Sequence, residues 1–125
     1  MSLVLDSGAL VALERNERPM WIRLKAAQME GDLPLTHAGV LGQVWRDSPH
    51  QARLSQALEG IDVRPLDEPM GHAAGQLLAA AGVADVIDAG VVLLATDGDE
   101  IVTVDREDLE LLAAASGRHV ELIHP

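Results

Sequence analysis

The chain has 125 residues, a formal net charge of -11 at pH 7, 48% hydrophobic residues and no cysteine. That is enough for one domain over 1–125 with a continuous core, and too apolar for a disordered segment. The missing cysteines exclude a disulfide scaffold, a thiolate metal site and a cysteine nucleophile. No apolar run approaches the roughly 18 residues of a membrane span, and no basic-then-apolar leader is visible, so the expectation is a cytoplasmic protein without membrane contact.

Leu3-Val4-Leu5 reads as a short buried strand that turns at Asp6-Ser7-Gly8 into a helix through Glu14. Pro19 suits the first turn of a second helix over Met20–Met29, closed by Gly31. A second strand follows at Leu33–Thr36, then helices at His37–Arg46 and Gln51–Leu58, and a third strand at Ile61–Leu66. Asp67-Glu68-Pro69 opens an alanine-rich helix to Ala81, which Gly82 ends. Val86–Ala95 is an apolar helix with one charge, Asp88, and Asp97-Gly98-Asp99 is a turn. A fourth strand at Glu100–Val104, a helix at Asp105–Ala115 and a last strand at His119–Ile123 complete the chain. Strands that alternate with helices imply parallel crossovers and a three-layer α/β/α sandwich around a mostly parallel sheet. With only Trp21 and Trp45 as aromatics, its core must be aliphatic.

Charge is unevenly divided. Residues 1–64 carry seven Lys/Arg against eight Asp/Glu, whereas 65–125 carry two against twelve. This balance argues against generic electrostatic affinity for nucleic acid, and a polyanion would need local help from bound cations or from basic residues in the first half. Asp6 and, in the acidic half, Asp105 each follow an apolar strand and precede a helix, where open α/β sheets bind ligands. Asp85 and Asp88 lie one helical turn apart. Asp88 is surrounded in sequence by Val, Ile, Ala, Leu and Gly, and no Lys or Arg occurs between 65 and 105. A buried carboxylate there needs a distant cation, solvent or a metal ion. Asp6, Asp85 and Asp105 also suit helix N-caps, with Asp88 and Asp108 placed as in capping boxes. Together, acids at converging strand-to-helix junctions are what a hard cation such as Mg²⁺ or Mn²⁺ requires.

Leu3-Val4-Leu5-Asp6-Ser7-Gly8-Ala9-Leu10 resembles the opening of a PIN-domain ribonuclease. Asp85-Val86-Ile87-Asp88-Ala89 resembles that family's third acidic motif, and Thr103-Val104-Asp105-Arg106-Glu107-Asp108-Leu109 its fourth. The resemblance spans the chain and is greatest to VapC-type toxins of bacterial toxin–antitoxin pairs. It implies a PIN-like fold, a homodimer, an RNA substrate, Mg²⁺ or Mn²⁺ as cofactor, and a VapB-like antitoxin partner. It also implies Asp6, Asp88 and Asp105 as catalytic metal ligands, with Asp85 and Asp108 holding metal waters or acting as a base. One position departs from the pattern: a glutamate expected in the helix after the second strand is matched by Gln43, which brings an oxygen but no charge. Thr103 is placed to orient a carboxylate, and Arg46, one turn from Gln43, to contact a phosphate. Carboxylates crowded without metal should repel and show raised pKa values.

Two outcomes follow, an active endoribonuclease or a cleavage-deficient PIN-like module that still binds an antitoxin or RNA. A receiver domain would want adjacent acids after the first strand and a late Lys, but Ser7 follows Asp6 and Lys25 is the only lysine. A haloacid-dehalogenase-like phosphatase would want an acid at Gly8. The histidines at 37, 50, 72, 119 and 124 have no zinc spacing.

Overall fold

The computed structural model describes all 125 residues. Five short strands, β1 (Leu3–Leu5), β2 (Leu35–His37), β3 (Asp62–Arg64), β4 (Glu100–Val102) and β5 (Glu121–Ile123), form one parallel sheet in the order β3-β2-β1-β4-β5. The helices are α1 (Ser7–Glu14), α2 (Arg18–Met29), α3 (Ala38–Val44), α4 (Ala52–Leu58), α5 (Glu68–Ala81), α6 (Val86–Leu94) and α7 (Glu107–Ser116), with a 3-10 turn at Pro49–Gln51. Helices α1, α2, α3 and α4 pack as one group and α5, α6 and α7 as another, giving the α/β/α sandwich. No single helix is long and apolar enough to cross a membrane.

The chain winds from central β1 through β2 to β3, then returns to β4 and β5 on the other side. The order therefore reverses between β1 and β4, and the carboxyl ends of those two strands open a crevice there. The core is aliphatic throughout: Leu5, Leu10, Leu13, Leu54, Ile101 and Leu109 are fully buried, and both tryptophans sit at its edge. Alanines at 9, 12, 74 and 89 let helices approach closely.

Local chemistry explains most element ends. The Asp67 carboxylate accepts from the Met70 N–H, with Pro69 in the first turn of α5, and Gly82 and Gly117 take the left-handed conformation just after α5 and α7. Several expected boundaries shift. The helix expected from His37 starts at Ala38 because His37 is the last residue of β2. The strand expected to reach Val104 stops at Val102, and the helix expected from Asp105 starts at Glu107, because the Thr103 hydroxyl takes the Asp105 N–H into a tight turn. Asp105 is consequently not a helix cap.

At the opposite end of the sheet, Asp99 is buried. One carboxylate oxygen accepts from the Ser2 N–H at 2.7 Å and the other from the Thr96 N–H and hydroxyl at 2.9 and 3.1 Å. Burial works to raise the Asp99 pKa, but these bonds outweigh it and hold the group below the usual carboxylate range. Asp99→Ala leaves three donors without their acceptor and should lower unfolding free energy by about 2 kcal/mol in urea melts, whereas a change within error would show the knot to be idle.

Candidate metal centre

Asp6 stands at the carboxyl end of β1 and is buried. Its backbone N–H donates to the Val102 carbonyl across the β1–β4 ladder, which sets Asp6 beside Thr103. One carboxylate oxygen accepts from the Ser7 N–H at 2.8 Å as the α1 cap; the other accepts from the Thr103 hydroxyl at 2.9 Å. Thr103 in turn accepts from the Asp105 N–H at 3.0 Å. A single hydroxyl thus fastens the Asp6 side chain to the Asp105 backbone. Burial raises the Asp6 pKa and the charges of Asp105 and Asp85 add to the rise, against the lowering effect of the Ser7 and Thr103 bonds.

Asp88 reaches the same rim from the first turn of α6. Asp85 caps that helix, accepting from the Ile87 and Asp88 N–H groups at 2.9 and 3.2 Å. Asp88 as a residue is 6% exposed, and its carboxylate forms no hydrogen bond or ion pair, its oxygens opening to the crevice. It does not close a capping box. Burial first, then the charges of Asp85, Asp6, Asp105 and Asp108, push its pKa up to about 7. Every charge that bears on Asp6 or Asp88 is another carboxylate.

The structure therefore brings Asp6, Asp85, Asp88, Asp105, Asp108 and Thr103 to one rim. No three carboxylates are gathered closely enough to hold an ion between them, as befits like charges facing one another without a counter-ion. The donor set is nonetheless all hard oxygen, and the Asp88 carboxylate in it faces the crevice with no hydrogen-bond or ion-pair partner from the protein. That chemistry fits Mg²⁺ or Mn²⁺, which keep several waters and take few protein oxygens.

Gln43 and Arg46 are placed differently. Gln43 is exposed on α3 and forms no hydrogen bond. Arg46 lies beyond α3 and turns its guanidinium back onto the carbonyls of Gly42 and Trp45, at 3.2 and 2.6 Å, while its N–H donates to buried Gln51. It closes the C-terminus of α3.

One residue at the site was not singled out from the sequence. His37 is fully buried at the end of β2. Its Nδ1 accepts from the Gly39 N–H at 3.0 Å, so Nε2 carries the proton and donates to the Ile87 carbonyl at 2.9 Å, beside Asp88. The ring fits because two neighbours lack a side chain: a Cβ on Gly90 would come within 2.7 Å of Nε2, and one on Gly39 within 2.8 Å of Cε1. His37 ties the Asp88 helix to the sheet. The only sequence signal was a pair of glycines 51 positions apart, in two elements whose contact is invisible before folding.

No family model matches the chain, and no curated protein matches it in sequence. Among solved structures, the crystal structure of VapBC2 from Rickettsia felis bound to a DNA fragment from their promoter contains a chain that matches at a TM-score of 0.68. The match covers 98% of this chain and 98% of that one, at 13% identity. With the parallel order β3-β2-β1-β4-β5 and the crevice between β1 and β4, the fold of this chain is that of a VapC-type PIN domain.

Proposed function

We propose that this chain is a divalent-metal-dependent endoribonuclease, the toxin of a type II toxin–antitoxin pair, acting on RNA phosphodiesters. The observation that carries this reading is the Asp88 carboxylate: set on a largely buried residue, open to the crevice, without a protein partner, and faced by Asp6, Asp85, Asp105 and Asp108 with no cation of the protein to balance them. Such an arrangement is costly in free energy unless a bound cation completes it.

Asp6, Asp88 and Asp105 would hold Mg²⁺ or Mn²⁺, directly or through water. Bound there, the ion supplies a water of lowered pKa and neutralises charge on the scissile phosphate. The chain's own contribution is positional. Ser7 and Thr103 fix both oxygens of Asp6, Thr103 holds the turn that carries Asp105, and Asp85 and His37 hold the first turn of α6, which carries Asp88 on the same rim. Asp85 and Asp108 are placed to orient waters or accept a proton. The R. felis protein is a VapBC complex on promoter DNA; by analogy this chain takes a VapB-like antitoxin as partner, and the family resemblance of its motifs implies a homodimer.

A second reading has its own observation. Gln43 brings no charge where the family pattern has an acid, and it is exposed and unbonded on α3. A binding module without cleavage would look the same. The two separate in one experiment, incubation of a mixed RNA pool with the purified chain in Mg²⁺, Mn²⁺ or EDTA. The nuclease reading expects cleavage with either metal, none in EDTA, and none from Asp6→Asn. Identical RNA profiles in all conditions would overturn the metal-dependent nuclease and favour the binding module, and cleavage that survives Asp6→Asn would remove Asp6 from the site.

A further inference from the structure

We propose that the groove between α2 and α4 binds a single nucleic-acid strand, holding phosphates on Lys25 and Arg53 and a base against Trp21. The groove encloses about 290 Å³ and is lined by Asn16, Trp21, Lys25, Arg53 and Gln56. Two cations, two amides and one indole line it, and no carboxylate does, in a chain whose net charge is -11. Lys25 and Arg53 are exposed, and neither takes part in the chain's three ion pairs, so both are free to meet an anion. The Trp21 indole N–H donates to the Leu13 carbonyl at 3.1 Å, which fixes the ring plane. A fixed aromatic ring beside unpaired cations and amides is the chemistry that holds single strands: charge tracks the backbone and the ring stacks a base of any kind.

The position of the groove suits such a strand. Asp6 on the acidic rim caps the start of α1 and Asn16 at the groove follows its C-cap Arg15, so one eight-residue helix about 12 Å long joins the two sites. The groove offers attraction where the rim alone offers repulsion, which answers how so acidic a protein engages a polyanion. The choice of RNA as the strand rests on the ribonuclease reading; the groove itself specifies a polyanion with stackable rings.

The test is binding in EDTA, where no metal-dependent cleavage occurs. A labelled, unstructured single-stranded RNA is titrated into the wild-type chain and the Lys25→Gln/Arg53→Gln variant, at several salt concentrations. Both substituted side chains are exposed, so an unchanged unfolding midpoint should accompany the loss of binding. The expected result is at least a tenfold fall in affinity and a log–log salt slope shallower by about 1.4, two lost phosphate contacts at roughly 0.7 each. In a Trp45→Phe background, RNA should quench the remaining Trp21 fluorescence. Equal RNA affinity in both chains overturns the proposal, as does unquenched Trp21. Tighter binding of an Asp/Glu-rich peptide than of RNA also overturns it, in favour of a protein partner. Failure of the nuclease reading shows separately, as bound but uncut RNA once metal is added.

Discussion

Stripped of divalent cations, the protein should lose about 2 kcal/mol of stability between about pH 4 and pH 7, and Asp88→Asn should remove most of that loss. The sign follows from the direction of the shift. Asp88 titrates near 7 in the folded chain against an ordinary value of 3.8. Between these values the folded state holds a proton that the unfolded state has released, so stability is full below the lower value and falls as pH rises through the upper. The gap alone corresponds to about 4 kcal/mol, and water at the open rim reduces it to roughly half. Asp6, raised for the same reason, adds to the slope. Urea melts in EDTA across the pH range measure it. Millimolar Mg²⁺ should restore the wild type at high pH and leave Asp88→Asn unmoved. Parallel pH profiles for the two chains would show that Asp88 is not the strained acid of this rim.

The second large effect concerns His37 and Gly90. Gly90→Ala places a methyl group 2.7 Å from His37 Nε2. The ring is fully buried and held at both nitrogens, so it has nowhere to move. Overpacking and a broken hydrogen bond together should cost about 3 kcal/mol. His37→Ala also destabilises, by loss of packing and of the Gly39 cap. The double variant should be more stable than the sum of the two predicts, by over about 1 kcal/mol, because the new methyl group fills space that the ring has left. Strict additivity in denaturant melts would mean that the two residues do not meet.

Much of this architecture could be read from residue order. Short aliphatic runs bounded by Asp, Gly and Pro marked all five strands, and lone aspartates at the ends of those runs marked Asp6 and Asp105. Asp88 stood out because an acid inside Val-Ile-Asp-Ala-Gly-Val-Val has no local reason to be there. Pairing was not legible. That β1 lies against β4 depends on winding, and without it Asp6 and Thr103 are simply residues 97 apart. The same limit hid the His37 contact, since a histidine between β2 and α3 looks like an ordinary helix start. The turn at Asp105 failed for another reason: the Thr103 hydroxyl competed with the helix for the Asp105 N–H, and side-chain bonds of that kind move helix boundaries. Arg46 looked like a phosphate ligand because its carbonyl partners are set by the end of α3, which sequence places only approximately.

The reversal of strand order between β1 and β4 has a consequence for biosynthesis. Asp6 leaves the ribosome more than ninety residues before the neighbour that completes its crevice, β4 with the Thr103 turn. Parallel pairing over such a separation closes late and slowly. A nascent chain therefore carries its acids scattered and harmless, and any chemistry they perform together is switched on by completion of the sheet.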